Sequence, residues 1–400
     1  MPLGLLPPEP LRVLLIEPYL TGSHQAWAEG YQASTRHDLR LLSMPGRFWK
    51  WRMHGAALSI ARQLHALVGS GWQPEVLLVS DMIDLAGLLG LVRDRLTSVP
   101  VVLYMHENQL AYPALEPHPG WNRSRRARAA RRDLHYPFVN LSSALAADRV
   151  WWNSAYNRDS FLAALPGFLN GFPDAREPQA VTTLTARCEI QPVGLDLASL
   201  EGSRPRARRP GPPRILWNHR WEHDKDPESF FDAIQVLHAR GLDFELVLLG
   251  ESFVSVPPVF EAARRRWPDR IVQFGHVARR SDYAAWLWQS DLVVSSAAHE
   301  FFGVSVCEAI ACGCRPILPD RLAYPEIVPP EWHSETLYPA GTLADALIEA
   351  VSRASVAPRL IWDERLRQAM ARFDWSRIAP RYDAALAAMV EAGRDPRLLY

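Results

Sequence analysis

Short apolar runs, each stopped by polar residues or glycine and followed by a stretch long enough for a helix, recur along the whole 400-residue chain. In the first half they are Leu11-Arg12-Val13-Leu14-Leu15-Ile16-Glu17, stopped by Pro18, then Leu77-Leu78-Val79-Ser80-Asp81, Val101-Val102-Leu103-Tyr104-Met105 and Val150-Trp151-Trp152. In the second half they fall at 214–217, 244–249, 271–274, 291–295 and 315–318. Runs that are apolar at consecutive positions, rather than at alternate ones, mark strands covered on both faces, and such strands belong to parallel sheets joined by helical crossovers. The segment 202–213, GSRPRARRPGPP, is too poor in apolar side chains to join a core and reads as a linker. The fold class expected is therefore α/β with two doubly wound, Rossmann-like domains facing a cleft. The first covers 1–201, the linker 202–213 and the second 214–375. A last helix, 376–400, returns to the first domain. At 48% hydrophobic residues the chain is long enough to bury two cores.

Composition narrows the function classes. The formal net charge is zero with 22% charged residues, so the chain is no general polyanion binder, although local patches remain open to it. Cys188, Cys307, Cys312 and Cys314 lack the spacing of a metal-binding or redox pair and read as free thiols of a reducing compartment. With neither a basic, apolar leader nor about 18 consecutive apolar residues, the sequence is expected to be a soluble cytoplasmic protein without a membrane partner.

Ligands of doubly wound sheets sit beyond the C-terminal ends of the strands, so the residues just after each run are the candidates for a site. In the second domain, 296–319 places Glu300 and Glu308 on either side of the turn Phe301-Phe302-Gly303 and a helical run from about Val304 to Cys312. The amides of Phe302, Gly303 and Val304 then open a helix, a position suited to a diphosphate, beside carboxylates suited to hydroxyl groups. Upstream, Trp217-Asn218-His219-Arg220-Trp221-Glu222-His223-Asp224-Lys225-Asp226-Pro227 follows a strand and precedes an amphipathic helix, so Arg220 and Lys225 can converge on one diphosphate. Asp224-Lys225-Asp226 spells a metal-diphosphate signature, but with Lys225 and Arg220 supplying positive charge no metal is expected. Gly250, which ends a strand, and Phe274-Gly275-His276-Val277 lie between the two stretches.

In the first domain, Tyr19-Leu20-Thr21-Gly22-Ser23-His24 links a strand to a helix, and Gly22 permits close backbone approach. An ordinary strand-helix turn would look the same. The segment 45–54 is dense in aromatic rings and cations. Such a cluster can stack on bases or rings or pack under a loop; its tryptophans are expected to pack, and Lys50 and Arg52 to make contact with a ligand. His106-Glu107-Asn108-Gln109 follows a strand directly, against which stands the reading of His106 as a satisfied core histidine. The stretch 121–132 carries Arg123, Arg125, Arg126, Arg128, Arg131 and Arg132 without an acid, which points to a polyanionic partner or to a solvated helix.

The Arg220-x4-Lys225 loop and the Glu300-x7-Glu308 motif, in this order, resemble the C-terminal domain of retaining nucleotide-sugar glycosyltransferases of the GT-B fold. GSH at 22–24, FWKWR at 48–52, HENQLAYP at 106–113, WNS at 152–154 and WNHRWEHDKDP at 217–227 narrow the resemblance to the tRNA-queuosine mannosyltransferase family, over most of both domains. The resemblance implies transfer of mannose from GDP-mannose, with retention, to the cyclopentenediol of queuosine at the wobble position of a tRNA anticodon. It implies catalytic roles for Glu300, His106, Arg220 and Lys225. Donor contacts are expected from Gly22, Ser23, His24, Asn218, Gly250, His276, Val277, Phe302, Gly303, Val304 and Glu308. Acceptor contacts are expected from Lys50, Arg52, Asn108, Gln109 and the six arginines of 121–132, which lie outside the family's motifs. No cofactor is expected. Two other readings compete: a transferase of the same fold acting on a lipid or polysaccharide, and a non-catalytic RNA-binding protein that has kept the fold.

Overall fold

A computed structural model of the chain describes residues 9–96, 98–112, 134–205, 210–251, 256–356 and 363–394. They form two compact units, Met1–Gly194 with Trp375–Tyr400, and Leu195–Asp374.

The first unit is built on six parallel strands: β1 Arg12–Leu20, β2 Asp38–Pro45, β3 Val76–Ser80, β4 Val101–Met105, β5 Arg149–Trp152 and β6 Cys188–Ile190. Their order is β2-β1-β3-β4-β5-β6. β3 and β4 are buried at every position, as expected of strands covered by helices on both faces. The helix Trp375–Arg394 belongs to this unit through polar contacts in its interior. The Tyr382 hydroxyl donates to that of Tyr104 at 3.1 Å, and Asp383 accepts from the Tyr31 hydroxyl, the Thr35 hydroxyl and the Arg36 amide at 2.8, 2.6 and 3.1 Å.

The second unit repeats the scheme with β7 Arg214–Trp217, β8 Glu245–Leu249, β9 Ile271–Gly275, β10 Leu292–Val294, β11 Arg315–Pro319 and β12 Leu337–Tyr338, all parallel, in the order β12-β11-β10-β7-β8-β9. The division between the units falls at Gly194, ahead of the Arg/Pro-rich segment 202–213. Residues just after Gly194 are fastened to the second unit: the Trp288 indole donates to the Leu200 carbonyl at 2.7 Å, and Arg280 reaches the Asp196 carbonyl at 3.4 Å.

In both sheets the strand order reverses once. It does so between β1 and β3 in the first and between β7 and β10 in the second. At such a reversal the loops leaving two adjacent strands turn to opposite sides and leave a crevice between them. Among the described residues, no helix is long and apolar enough to cross a membrane.

Candidate active site

In the second unit the loops after β7 and β10, residues 218–226 and 295–303, are stitched together at the reversal. The Ser296 hydroxyl donates to the Lys225 carbonyl at 2.9 Å, and the amides of Ala298 and His299 donate to the Asp224 carbonyl at 3.0 and 3.1 Å. Lys225 ends a short turn, His223–Lys225, and Asp226 then caps the helix Pro227–Ala239 by accepting from the Ser229 amide at 3.2 Å. The chain thus fixes the Lys225 backbone on both sides and buries its ammonium. That ammonium lies 2.8 Å from the His299 carbonyl, 3.1 Å from Asp224 Oδ2 and 3.3 Å from Glu300 Oε2.

Charge follows from this geometry. Burial alone would raise the Glu300 carboxyl, but Lys225, His219 and the Phe302 amide together outweigh it and hold the group at about 2. Burial likewise disfavours the Lys225 ammonium, yet Glu300 and Asp224 together raise its pKa above the ordinary value. Burial first, and Lys225 second, push His219 and His299 down to about 4, so both are neutral near pH 7. Arg220, exposed on the same loop 3.5 Å from Glu222, opposes the Lys225 charge.

Glu300 Oε1 accepts from the amides of Phe301 and Phe302 at 3.1 and 3.3 Å. The Phe302 amide, expected to face an anion, is therefore turned to Glu300 instead. Gly303 and Val304 open the helix Val304–Ala311, whose first amides have no partner within it. Gly303 has φ 104°, a left-handed conformation that glycine adopts without penalty. Gly250, after β8, is required for a different reason, since a Cβ there would stand 2.1 Å from the His219 carbonyl oxygen.

Glu308 is buried one turn into that helix, and each of its oxygens has a partner. Arg280 donates to Oε1 at 2.7 Å and the Tyr283 hydroxyl to Oε2 at 2.9 Å. Asn218 donates to the Tyr283 hydroxyl at 3.3 Å and to the Ser305 carbonyl at 2.8 Å, which ties the β7 loop to the helix. Sequence reasoning did not single out Arg280 and Tyr283. Their signal is a spacing of three at the start of the helix after β9, which puts both on one face, but nothing in the sequence says which of Arg279 and Arg280 turns inward. His276 is exposed and Val277 half-buried just after β9.

In the first unit the strand reversal gathers a buried cluster. Glu17, on β1, has no exposure, and its Oε2 lies 3.0 Å from His24 Nδ1 and 4.0 Å from His106 Nε2. The His24 and His106 rings are 4.2 Å apart, and Asp81, after β3, accepts from the His106 amide at 3.2 Å. Burial opposes the charge on His24, but Glu17 outweighs it and raises the imidazole to about 9. Burial and the neighbouring His24 hold His106 well below its usual range, and burial lifts the Asp81 carboxyl to about 7. His106 Nε2 is buried without a hydrogen-bond partner among the described residues. Glu17 and Asp81 are further residues that sequence reasoning treated only as strand ends; an acid closing an apolar run was their one signal.

Glu17, His24 and His106 also bring one ligand atom each within 4.8 Å of one another, a set able to hold a metal ion. The ion pair between Glu17 and His24 is the alternative use of the same atoms.

The other candidates of this unit separate into two groups. Gly22 and Ser23 open the helix Gly22–Ser34 at the same end of the sheet, whereas Asn108 is fully buried and holds its own loop. Asn108 donates to Asn157 Oδ1 at 2.7 Å and accepts from the Ala111 amide at 2.6 Å, contacts that build the scaffold rather than face an acceptor. Gln109 is anchored by its amide to Asn140 Oδ1 at 2.8 Å. Lys50 is exposed, with its ammonium near the rings of Trp49 and Tyr136, while Arg52 donates to the Pro45 carbonyl at 3.3 and 3.1 Å. Of the tryptophans expected to pack, Trp49 does so against Tyr136, but Trp51 is 64% exposed. Arg123, Arg125, Arg126, Arg128, Arg131 and Arg132 lie outside the described residues.

Residues 12–195 match the family described as tRNA-queuosine alpha-mannosyltransferase N-terminal, and 212–355 match glycosyl transferases group 1. The tRNA-queuosine alpha-mannosyltransferase of Drosophila melanogaster is 35% identical over 327 residues, covering 80% of this chain and 82% of that one. A GDP-mannose-dependent alpha-(1-6)-phosphatidylinositol dimannoside mannosyltransferase of Mycobacterium tuberculosis is 27% identical over 334 residues, covering 80% and 76%. Among solved structures, the sucrose-phosphate synthase of Thermosynechococcus elongatus superposes with a TM-score of 0.68 at 16% identity, covering 96% of this chain and all of that one, a likeness of fold. With two parallel six-stranded sheets of the GT-B type and a glycosyltransferase domain carrying the Lys225–Glu300 pair, this enzyme is a hexosyltransferase and belongs to the tRNA-queuosine alpha-mannosyltransferase family.

Proposed function

We propose that the enzyme transfers mannose from GDP-mannose, with retention of configuration, to the cyclopentenediol of queuosine in a tRNA anticodon. The observation that carries this reading is the buried ammonium of Lys225 held 3.3 Å from an ionised Glu300, in a chain whose N-terminal half matches the queuosine family. Lys225, Arg220 and the amides that open the helix Val304–Ala311 would meet the diphosphate, whose charge grows as GDP departs. Fixed charges in a dry site stabilise that developing charge better than water does. Glu308 would accept from the ribose hydroxyls, exchanging them for Arg280 or Tyr283, and Glu300 from the mannose hydroxyls.

Retention follows from attack on the same face. The bond from the anomeric carbon to the phosphate oxygen breaks, the bond to the queuosine hydroxyl forms, and the hydroxyl proton passes to the departing phosphate oxygen. His106, neutral and with a buried nitrogen open to a partner, would position the attacking hydroxyl. Because side chains supply the positive charge, we propose that transfer needs neither a metal nor a cofactor, and that the enzyme works on cytoplasmic tRNA. The names of the Drosophila and mycobacterial relatives support mannose as the sugar, and the latter supports GDP as its carrier.

The test is incubation with GDP-mannose and tRNA that contains or lacks queuosine, followed by mass analysis of the nucleosides. A queuosine heavier by one hexose, formed from GDP-mannose and only in queuosine-containing tRNA, is expected. Equal transfer to a phosphoinositide or polyprenol acceptor, or none to the tRNA, would overturn the reading.

A further inference from the structure

The helix Trp49–Gly69 begins in a way that packing does not account for. Phe48, its N-terminal cap, is held at φ 53° and ψ 55°, a left-handed conformation that a bulky side chain adopts only at a cost. The result is a phenyl ring 76% exposed, beside Trp51 at 64%. Trp51 is seated rather than loose: its ring lies over Gly55, where an added Cβ would stand 2.9 Å away. A fixed ring with one face covered by its helix presents the other face outward.

The surroundings are cationic. Between Asp38 and Glu75 the sequence has no carboxylate, although the chain as a whole is neutral. Arg47 and Lys50 are exposed on either side of Phe48 in the chain, the Lys50 ammonium lying over the rings of Trp49 and Tyr136, and His54 stacks flat on His135 with centroids 4.1 Å apart and planes 13° from parallel. Exposed planar rings set among cations without acids are complementary to bases on a phosphate chain: the rings stack on bases and the cations meet phosphates. Leu58, two turns beyond Trp51 on the same helix, is 67% exposed as well, so a membrane surface is the competing occupant that the vesicle arm of the experiment separates.

We propose that Phe48 and Trp51, with Arg47, Lys50 and the His54–His135 pair, form a stacking platform for unpaired bases of an RNA. The proposal rests on the tRNA reading above and adds to it a surface with a stated partner. Strain at Phe48 is then the cost of holding a ring outward, and Gly55 is the seat that keeps Trp51 flat.

The experiment measures affinity for queuosine-containing tRNA at several salt concentrations in wild type, Phe48→Ala, Trp51→Ala, Trp51→Phe and Lys50→Gln, beside transfer to the free queuosine nucleoside. Each alanine variant should weaken tRNA binding roughly tenfold, and Trp51→Phe should restore most of it. The aromatic variants should keep the salt slope, whereas Lys50→Gln should flatten it by roughly one phosphate contact. Transfer to the free nucleoside should be unchanged in Phe48→Ala and Trp51→Ala. Affinity within twofold of wild type in both alanine variants would overturn the platform while leaving the tRNA reading intact. Loss of binding to anionic phospholipid vesicles, or a change of oligomeric state, with tRNA affinity unchanged would assign the surface to a membrane or to a second copy of this chain and also overturn it. Absence of tRNA binding by the wild type would instead remove the reading on which the proposal rests.

Discussion

The two strand reversals of this molecule end in polar clusters that treat charge in opposite ways. After β7 and β10 the half-buried Glu300 faces Lys225 and the buried Glu308 faces Arg280, and Glu300 is held ionised at about 2. After β1, β3 and β4 the only buried cation among the described residues is the His24 imidazolium, shared between Glu17 and Asp81, and burial wins at Asp81, whose carboxyl rises to about 7. The first arrangement keeps its charges fixed across the neutral range, and the second exchanges protons within it. Compensation of charge, more than burial as such, decides whether a buried group is a permanent charge or a titrating one. Fixed charge suits a departing diphosphate, and a cluster whose charge changes near neutrality can set how His106 holds an attacking hydroxyl.

The strongest way to break the fixed-charge cluster is Lys225→Ala. It removes the partner of a half-buried carboxylate, 19% exposed, so stability should fall by roughly 1–3 kcal/mol, less than for a fully buried pair, and kcat by about 10²–10³. Thermal unfolding beside turnover separates the two effects. Adding Glu300→Gln should return much of the stability without returning turnover, and a double variant as active as wild type would remove Lys225 from the mechanism.

Glu308→Gln is milder. Its carboxylate loses charge but keeps the shape that Arg280 and Tyr283 grip, so KM for GDP-mannose should rise about tenfold with kcat little changed. Steady-state kinetics that showed a fall in kcat alone would place Glu308 at the reacting atoms rather than at the ribose.

Glu17→Gln tests the exchanging cluster through stability. In the folded protein His24 holds its proton up to about 9, against 6.5 as its ordinary value. The stabilisation is thus complete below about 6.5 and is lost as pH rises through about 9. The wild-type melting temperature should decline across that window, and Glu17→Gln should flatten the decline while lowering the neutral value by a few degrees. Parallel curves for the two proteins would mean that Glu17 does not hold that proton. The smallest effect is that of excess EDTA, which should leave turnover unchanged. A loss restored by zinc or manganese would assign a metal to Glu17, His24 and His106.

The long strands were legible because strands buried on both faces leave an unbroken apolar run, as at 77–79 and 101–105. β2, β6 and β12 were not, for physical reasons: β2 is an edge strand with alternating exposed polar residues, and β6 and β12 have only three and two residues. The positions of His106 just after a strand, of Lys225 and Glu300 in the loops that follow strands and of Glu308 in the helix one such loop feeds could be read from the chain alone, since the doubly wound fold sends strand ends to its crevice. Partnerships could not. Arg280 with Glu308, and Glu17 with His24, depend on which side of a helix or strand faces inward, a tertiary matter. The same limit explains Asn108 and Arg52, polar residues whose hydrogen bonds turn them to their own loops, and Trp51, whose seat on Gly55 no periodicity reveals.

The division between fixed charge and exchanging protons is tested most directly by the pH dependence of GDP-mannose affinity, measured by calorimetry between about pH 6 and 8.5, beside turnover over the same range. Glu300 at about 2, a raised Lys225, and His219 and His299 at about 4 predict a dissociation constant that stays flat. Turnover should change with a midpoint close to that of Asp81, about 7, because Asp81 accepts from the His106 amide at 3.2 Å and its charge beside that histidine changes there. A dissociation constant that moved with pH in step with turnover would contradict the account, because the donor would then be held by the groups that exchange protons.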